Sequence, residues 1–134
     1  MKRISGLKLL NEREGDGRAP EKADRVVFNT RIFLNQGDEV PLNEKQAEHL
    51  PKELIRVEDG VTLIDRTVTL GRREVIAGVE YALMGMKVGG YRKVRISPHL
   101  AYRDKGIPEL IPPEAVLIAE IWLRENVQER KVHG

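Results

Sequence analysis

Apolar and polar residues alternate along several short stretches of the chain, as in β-strands with one buried face. The longest such stretch is DRVVFNTRIFL, residues 24–34, and its first face carries Val26, Phe28, Thr30, Ile32 and Leu34. The same period predicts strands at residues 7–11, 91–96 and 115–123. Asp59-Gly60 separates two further β-rich runs and predicts a hairpin, because these residue types accept the left-handed backbone of a tight turn.

A different spacing occurs in REVIAGVEYALMGM, where apolar residues recur every three or four positions. This spacing predicts one amphipathic helix over about residues 75–84, and the glycines that follow end it. Five or six strands with a single helix and no alternation of strands and helices predict an α+β fold. In this fold an antiparallel sheet half-wraps the helix.

The stretch VPLNEKQAEHLPKEL lies between the long strand and the hairpin. Asn43 is predicted to cap a short helix that runs to about Leu50, because asparagine is a favoured residue at that position. Pro51 then prevents the helix from continuing. We interpret residues 41–58 as an insertion or flap.

Composition narrows the class of protein. The chain has 134 residues, of which 40% are hydrophobic and 33% are charged, and this favours a single soluble domain over residues 1–134. No apolar run approaches the ~20 residues of a membrane helix, so no membrane partner is expected. The first residues lack the apolar stretch of a signal peptide, so a cytoplasmic location is expected unless a signal has been removed. The absence of cysteine excludes a disulfide framework and a thiol nucleophile.

The charge pattern gives little support for a nucleic-acid partner. The formal net charge is +2, from 23 basic and 21 acidic residues. The densest basic stretch is KVGGYRKVR, and strand alternation places Arg92 on one face and Lys93 and Arg95 on the other. We interpret this stretch as a solvated strand face, and we interpret His99 as a surface residue.

Three blocks of the sequence resemble the FKBP-type peptidyl-prolyl isomerases. The first block contains Gly15, Gly17, Pro20, Asp24, Val26, Leu34 and Gly37. The second contains Leu70, Gly71, Val75, Ile76, Gly78, Met86, Val88 and Gly89. The third contains Pro98, Ala101, Tyr102, Gly106, Ile111, Pro112, Pro113, Ala115 and Leu117. The resemblance covers about residues 5–123 and leaves residues 124–134 as a tail.

The resemblance implies a half-wrapped sheet and a groove that binds proline-containing or unfolded polypeptide. It implies roles for the hydroxyl of Tyr102 and the backbone N–H of Ile76 as the two groups that hold the peptide. It also implies that Val75 and Ile111 are apolar walls of the groove. Neither a cofactor nor a metal is expected, because rotation about an Xaa-Pro bond needs no nucleophile.

The chain departs from the family where the groove should be aromatic. Val79 stands in place of a tryptophan, Ala119 in place of a phenylalanine, Thr30 in place of a tyrosine, and Val40 in place of a phenylalanine. Arg103 replaces a glycine, and Ile107 and Leu110 replace other loop residues. The expected groove residues are Val75, Val79, Ile111, Leu110, Ala119, Thr30 and Val40. Because smaller side chains bury less of the prolyl ring, weak catalysis is expected.

Two occupants could fill the space that the smaller side chains leave. One is the insertion, through Leu42, Leu50 or Leu54, and the other is a ligand bulkier than proline. The alternative to a weak isomerase is therefore an inactive binding or chaperone module. A third interpretation is a homo-oligomerisation module, which uses the strand face that carries Trp122. That side chain either packs under a terminal segment or belongs to such an interface.

Overall fold

The strands predicted by alternation are present in the computed structural model, which describes residues 3–127. In that range the strands are β1 (Leu7–Arg13), β2 (Arg25–Leu34), β3 (Ile55–Glu58), β4 (Val61–Ile64), β5 (Arg66–Thr69), β6 (Tyr91–Ile96) and β7 (Leu117–Asn126). Two α-helices lie wholly within this range, α1 (Leu42–Ala47) and α2 (Ala77–Leu83), and 3-10 turns lie at Lys52–Leu54 and Pro98–Leu100. No helix in the described range has the length and apolar character to cross a membrane.

Five of the strands form one antiparallel sheet in the order β1-β6-β7-β2-β5. β7 lies at the centre of this sheet and pairs with β2 along nine of its residues, from Leu34 opposite Leu117 to Val26 opposite Asn126. One face of the sheet packs against α2, as the helical spacing and the strand alternation predict. The α+β fold with a half-wrapped antiparallel sheet is confirmed.

The core lies between α2 and the inner face of the sheet. Its fully buried side chains include Phe28, Leu70, Leu83, Ile96, Leu117, Ile121 and Leu123. Gly78 allows the helix to approach the sheet, because a Cβ atom there would lie 2.4 Å from Cγ2 of Ile96. The helix is therefore fixed closely against β6, and its start is held in a defined position.

The predicted hairpin is present as the separate two-stranded sheet β3-β4. Asp59 and Gly60 have φ values of 52° and 77°, the positive values that a two-residue hairpin turn requires. The hairpin packs against the outer face of the large sheet, where Asn29 donates hydrogen bonds to the carbonyl of Ile64 and to Asp65. We call Asn29, Arg56, Glu58, Asp65 and Arg124 the outer cluster.

Each charged group of the outer cluster has a partner of opposite charge. Arg56 binds Asp65 through two nitrogens, each 2.9 Å from an oxygen, and it also contacts Glu58. Arg124 contacts Glu58 at 2.9 Å and also donates to the side-chain oxygen of Asn29. Burial acts to raise the pKa of Asp65, but hydrogen bonds from Arg56 and Asn29 outweigh it and hold that pKa below its ordinary value.

The predicted cap of the first helix is wrong. α1 begins at Leu42 and is preceded by Pro41, and Asn43 lies inside the helix with 8% of its surface exposed. The amide of Asn43 donates to the carbonyl of Thr30 at 2.8 Å. The reason is that β5 pairs with β2 only as far as Phe28, so the carbonyl of Thr30 has no β5 partner.

The interpretation of KVGGYRKVR as a solvated face is wrong for Arg92. This side chain is 5% exposed and its Nε donates to Glu12 at 2.6 Å. Its Nη1 donates to the carbonyls of Ala82 and Met84 at the end of α2. Arg92 therefore satisfies carbonyls that the helix end leaves without an intrahelical partner. Lys93 and Arg95, on the opposite face, are half-buried and exposed.

The last strand extends further than expected. β7 runs to Asn126 and so includes residues assigned to the tail, while residues 128–134 of that tail lie outside the described range. Trp122 is half-buried and packs against Tyr91, with ring centroids 5.3 Å apart and the planes tilted by 48°. The guanidinium of Arg13 lies 5.6 Å from the centroid of the Tyr91 ring.

Candidate functional site

A cleft of about 230 Å³ opens between the inner face of the sheet, the start of α2 and the insertion. Its apolar lining consists of Phe28, Ile32, Val40, Leu42, Val75, Ile76, Val79 and Ile107. Its polar lining consists of Thr30, Asn43, Gln46, Arg66, Glu74 and Tyr102. The cleft therefore has an apolar floor and polar groups around it, which is the usual character of a small-ligand site.

The floor is formed by side chains that also belong to the core. Phe28 is fully buried, and Val79 and Val40 are 3% and 4% exposed. Phe28 is on the face of β2 predicted to point inward, but the sequence did not identify it as part of a groove. Its ring packs in the core behind the floor and, because it is fully buried, does not restore the exposed aromatic surface that valine at position 79 removes.

Two hydrogen-bond donors at the cleft have no partner within residues 3–127. One is the backbone N–H of Ile76, which precedes the first residue of α2, and the other is the hydroxyl of Tyr102. Burial raises the pKa of Tyr102, and the nearby charge of Arg66 partly opposes this effect. The hydroxyl therefore remains protonated at neutral pH and can donate to a ligand.

The position of Tyr102 is fixed by the backbone that follows the 3-10 turn. The carbonyl of Tyr102 accepts from the N–H of Gly106 at 3.1 Å, and the N–H of Arg103 donates to the carbonyl of Pro98 at 3.0 Å. Arg103 has a φ of 52°, in the region that favours glycine. This backbone conformation explains why the family pattern has a glycine at this position.

Polar side chains of the insertion meet β5 at one side of the cleft. The Nη2 of Arg66 donates to Oδ1 of Asn43 at 3.0 Å and to Oε1 of Gln46 at 2.5 Å. The Nε of Arg66 is buried and has no hydrogen-bond partner in the described part of the chain. Burial lowers the pKa of Arg66, although an arginine remains charged at neutral pH. We call Asn43, Gln46 and Arg66 the polar wall.

Most of the residues expected to form the groove line this cleft. They are Tyr102, Ile76, Val75, Val79, Thr30 and Val40. The hydroxyl of Thr30 is already used, because it donates to the carbonyl of Glu120 at 2.8 Å. The substitution of Thr30 for a tyrosine thus removes a ring and contributes no free donor.

Three of the expected residues are not among the side chains that line the cleft. Ala119 is fully buried, because it pairs with Ile32 on β2 and Val94 on β6 in the middle of the sheet. Ile111 is 3% exposed, and with Leu110 it lines a shallower depression beside the loop prolines. The structure therefore does not bring these three side chains into the cleft.

The insertion contributes to the cleft through its first turn. Leu42 lines the cleft, as expected if the insertion fills the space that the smaller side chains leave. Leu50 is half-buried outside the cleft lining, and Leu54 is 37% exposed. Leu42 and Phe28 reduce the space left by the missing aromatic residues, and the remaining volume is open to a ligand.

Sequence reasoning missed the polar wall. A signal for Arg66 was present, because strand alternation in RTVTL puts it on the same face as Val68 and Leu70, both of which are buried. A charged residue on the inner face of a strand is unusual and indicates a buried partner or a ligand. Gln46 gave no such signal, because it is exposed and lies on a short helix.

The comparisons with known proteins agree with this geometry. The profile of the FKBP-type peptidyl-prolyl cis-trans isomerases matches residues 56–124. The FK506-binding protein 1A of Neurospora crassa is 30% identical over 121 residues, which are 90% of this chain and 88% of that protein. The FK506-binding protein 4 of Chaetomium thermophilum is 33% identical over 125 residues, which are 93% of this chain but only 22% of that protein.

A third relative matches a shorter segment. The 46 kDa FK506-binding nuclear protein of Spodoptera frugiperda is 47% identical over 55 residues, which are 41% of this chain and 13% of that protein. The family profile covers more than half of the chain, and one relative of similar length aligns along almost all of it. The chain therefore belongs to the family of FKBP-type peptidyl-prolyl cis-trans isomerases.

Proposed function

We propose that the cleft binds proline-containing segments of polypeptide and accelerates rotation about the Xaa-Pro bond. The barrier to this rotation is ~18–20 kcal/mol, because the twisted state loses the resonance of the amide. A site lowers the barrier when it binds the twisted amide more tightly than the planar one. This requires a sheltered apolar surface and a few fixed donors, but no nucleophile.

The observation that carries the proposal is the pair of unused donors above an apolar floor. The N–H of Ile76 and the hydroxyl of Tyr102 have no partner in the described range, and both residues line the cleft with Phe28 and Val79. Such donors can hold the carbonyls that flank a proline while its ring rests on the floor. We assign substrate positioning to Ile76 and Tyr102, and the apolar contact to Val75 and Val79.

The proposed activity is weak. Val79 offers less apolar surface to a prolyl ring than an aromatic residue, and each ~1.4 kcal/mol of lost transition-state binding lowers the rate tenfold. The charged side chain of Arg66 also makes this side of the cleft more polar. Both features reduce the advantage of a sheltered site for the less polar twisted amide.

The activity can be tested by NMR exchange spectroscopy on short peptides with one proline. The cis and trans signals of the proline exchange slowly in the free peptide, and catalytic amounts of the protein should increase their exchange rate. A prolyl-limited refolding reaction gives an independent measure. The assignment as an isomerase is wrong if neither the peptide nor the refolding reaction is accelerated at a protein concentration equal to that of the substrate.

A second candidate function is binding without catalysis, as in a chaperone. The specific observation in its favour is that Leu42 of the insertion lines the cleft beside the polar wall. This function predicts suppression of aggregation that survives Tyr102→Phe and fails when residues 42–54 are deleted. If Tyr102→Phe loses both isomerisation and the suppression of aggregation, the isomerase is favoured instead.

Homo-oligomerisation through the face of Trp122 is the remaining alternative. The half-buried Trp122 and Tyr91 form an aromatic pair on the outer side of the sheet, away from the cleft. If this pair holds two copies together, Trp122→Ala shifts the elution volume in size-exclusion chromatography and leaves isomerisation unchanged. An identical elution volume across a wide range of protein concentration would remove this alternative.

A further inference from the structure

Arg66 is a half-buried charged residue whose hydrogen-bond partners in the described part of the chain are both neutral. Its Nη2 donates to the side-chain oxygens of Asn43 and Gln46. Within residues 3–127 no carboxylate forms an ion pair with it, and neither Nε nor Nη1 has a hydrogen-bond partner. A partly desolvated charge without a counter-charge is less favourable than a paired one, so an anionic partner from outside the chain would be stabilising.

Arg92 shows how the same chain treats an arginine whose role is structural. Its Nε binds the carboxylate of Glu12 at 2.6 Å, its Nη1 donates to Ala82 and Met84, and its Nη2 donates to Gly85 at 3.4 Å. All three nitrogens have partners, and one partner carries a negative charge. Arg66 is less buried than Arg92, and within residues 3–127 it lacks the charge-neutralising partner that Arg92 has in Glu12.

The location of Arg66 points to the nature of the missing partner. Arg66 lies directly opposite Phe28 across the β2-β5 pair, and both side chains line the cleft. Burial raises the pKa of Tyr102, and Arg66 is near enough for its positive charge to oppose that rise. The carboxylate of Glu74 also lines the cleft, but it is exposed and accepts a hydrogen bond from the N–H of Thr69 at 2.7 Å. A negative group placed over the floor would therefore meet Nη1 of Arg66, whereas Nε is buried beneath the surface.

We propose that the cleft selects proline segments in which the residue next to the proline carries an anionic side chain. This inference rests on the proposed isomerase function and names its substrate class. A carboxylate there accepts a charge-assisted hydrogen bond from Nη1 of Arg66 while the prolyl ring contacts Val75 and Val79. A glutamate, an aspartate or a phosphorylated serine would each supply anionic oxygens. The peptides in the test below distinguish a carboxylate from a phosphate.

The test measures isomerisation of matched peptides by NMR exchange spectroscopy. The residue before the proline is glutamate, glutamine, leucine, lysine or phosphoserine, and a second series varies the residue after it. Wild type should process the glutamate peptide with a kcat/KM about fivefold to tenfold higher than the glutamine peptide in at least one series. The preference should decrease at high salt, and a larger preference for phosphoserine would identify phosphate as the better anion.

Variants of Arg66 assign the preference to this side chain. Arg66→Gln should process glutamate and glutamine peptides equally, and Arg66→Lys should keep part of the preference because it retains the charge. Arg95→Gln is the matched control, because Arg95 is exposed on β6 and outside the cleft lining. Circular dichroism of each variant shows that it is folded before its kinetics are compared.

The outcomes separate this inference from the proposed function. Acceleration of all peptides without a charge preference would overturn the inference and leave the isomerase function intact. A charge preference that persists in Arg66→Gln would also overturn it. If no peptide is isomerised or shifts any amide signal on titration, the proposed function fails and the inference fails with it.

Discussion

Two polar clusters lie on opposite faces of the same sheet, and they differ in how completely their groups are satisfied. In the outer cluster, Asn29 is fully buried and uses both its amide and its carbonyl oxygen, while Arg56 and Arg124 each bind a carboxylate. In the polar wall of the cleft, Arg66 has no carboxylate partner among residues 3–127, and its Nε and Nη1 are unpaired there. Asp65 thus belongs to the outer cluster, whose charged groups are all paired. Its sequence neighbour Arg66 belongs to the polar wall, whose hydrogen-bonding groups are not all paired.

The difference indicates separate roles for the two faces. A saturated polar network fixes the hairpin β3-β4 on the sheet and offers little to a ligand. An unsaturated group beside an apolar floor is unfavourable in the free protein and becomes favourable when a ligand completes it. The comparison therefore predicts that changes to the outer cluster alter stability, whereas changes at the cleft alter binding and rate.

The largest expected effect is on stability, in Asn29→Leu. The leucine has a similar size but leaves Arg124, Asp65 and the carbonyl of Ile64 without the bonds they make to Asn29. The free energy of unfolding should decrease by about 2–4 kcal/mol, measured by urea denaturation. The control is Asn35→Leu, at an exposed turn position, which should change it by less than about 0.5 kcal/mol. Equal stabilities of the two variants would contradict a structural role for the outer cluster.

Tyr102→Phe should affect rate and not stability. The phenylalanine keeps the ring but removes the unused hydroxyl, so kcat/KM for a proline peptide should decrease by about fivefold. Tyr81→Phe is the matched control, because Tyr81 lies on α2 but does not line the cleft. A decrease in the unfolding free energy as large as in Asn29→Leu would instead indicate that the hydroxyl of Tyr102 has a structural partner.

A smaller effect is expected for the wall that the insertion provides. Leu42→Ala removes apolar surface from the cleft and should raise the Kd for a proline peptide by about threefold. Leu54→Ala, at a residue that is 37% exposed and outside the cleft lining, should leave the Kd unchanged. Isothermal titration of both variants with one peptide measures the difference. If the two variants bind with the same Kd, the insertion is not part of the binding site.

The smallest expected effect is the pH dependence that comes from Asp65. Its pKa is lowered in the folded protein, so it contributes stability above its unfolded pKa of about 3.9. That contribution should decrease as the pH falls from about 5 through the folded pKa. It is expected to amount to about 0.5 kcal/mol, as for other ion pairs near the surface. Urea denaturation of wild type and Asp65→Asn should show a difference that is constant near neutral pH and decreases in acid. A difference that increases in acid would reverse the assigned direction of the shift.

The fold was largely predictable because its signals are local. Alternation in residues 24–34 and the Asp59-Gly60 pair specify strands and a turn whose backbone requirements few residue types meet. The cap at Asn43 was wrong because a local rule competed with a distant partner, the carbonyl of Thr30. Sequence patterns near a helix start do not show which strand edge lies opposite.

The candidate site was predictable only where the family pattern extends. Tyr102, Ile76 and Val79 were expected at the groove and line the cleft. Phe28 was expected to be buried, but the sequence alone does not show that it lies beside Val79 at the floor of the cleft. Strand alternation places Arg66 on the inner face, but its partner Asn43 lies on the insertion, and the contact between those two residues is set by the tertiary fold.

The central claim is that the cleft beside the start of α2 binds proline segments, and the amide of Ile76 tests it most directly. This N–H has no partner in the described range, so a bound carbonyl should move its proton signal downfield during an NMR titration with a proline peptide. Binding in the cleft should shift the signals of Ile76, Val75 and Tyr102, and should shift those of the outer cluster less. An unchanged Ile76 signal, with shifts confined to the face of Trp122, would contradict the claim.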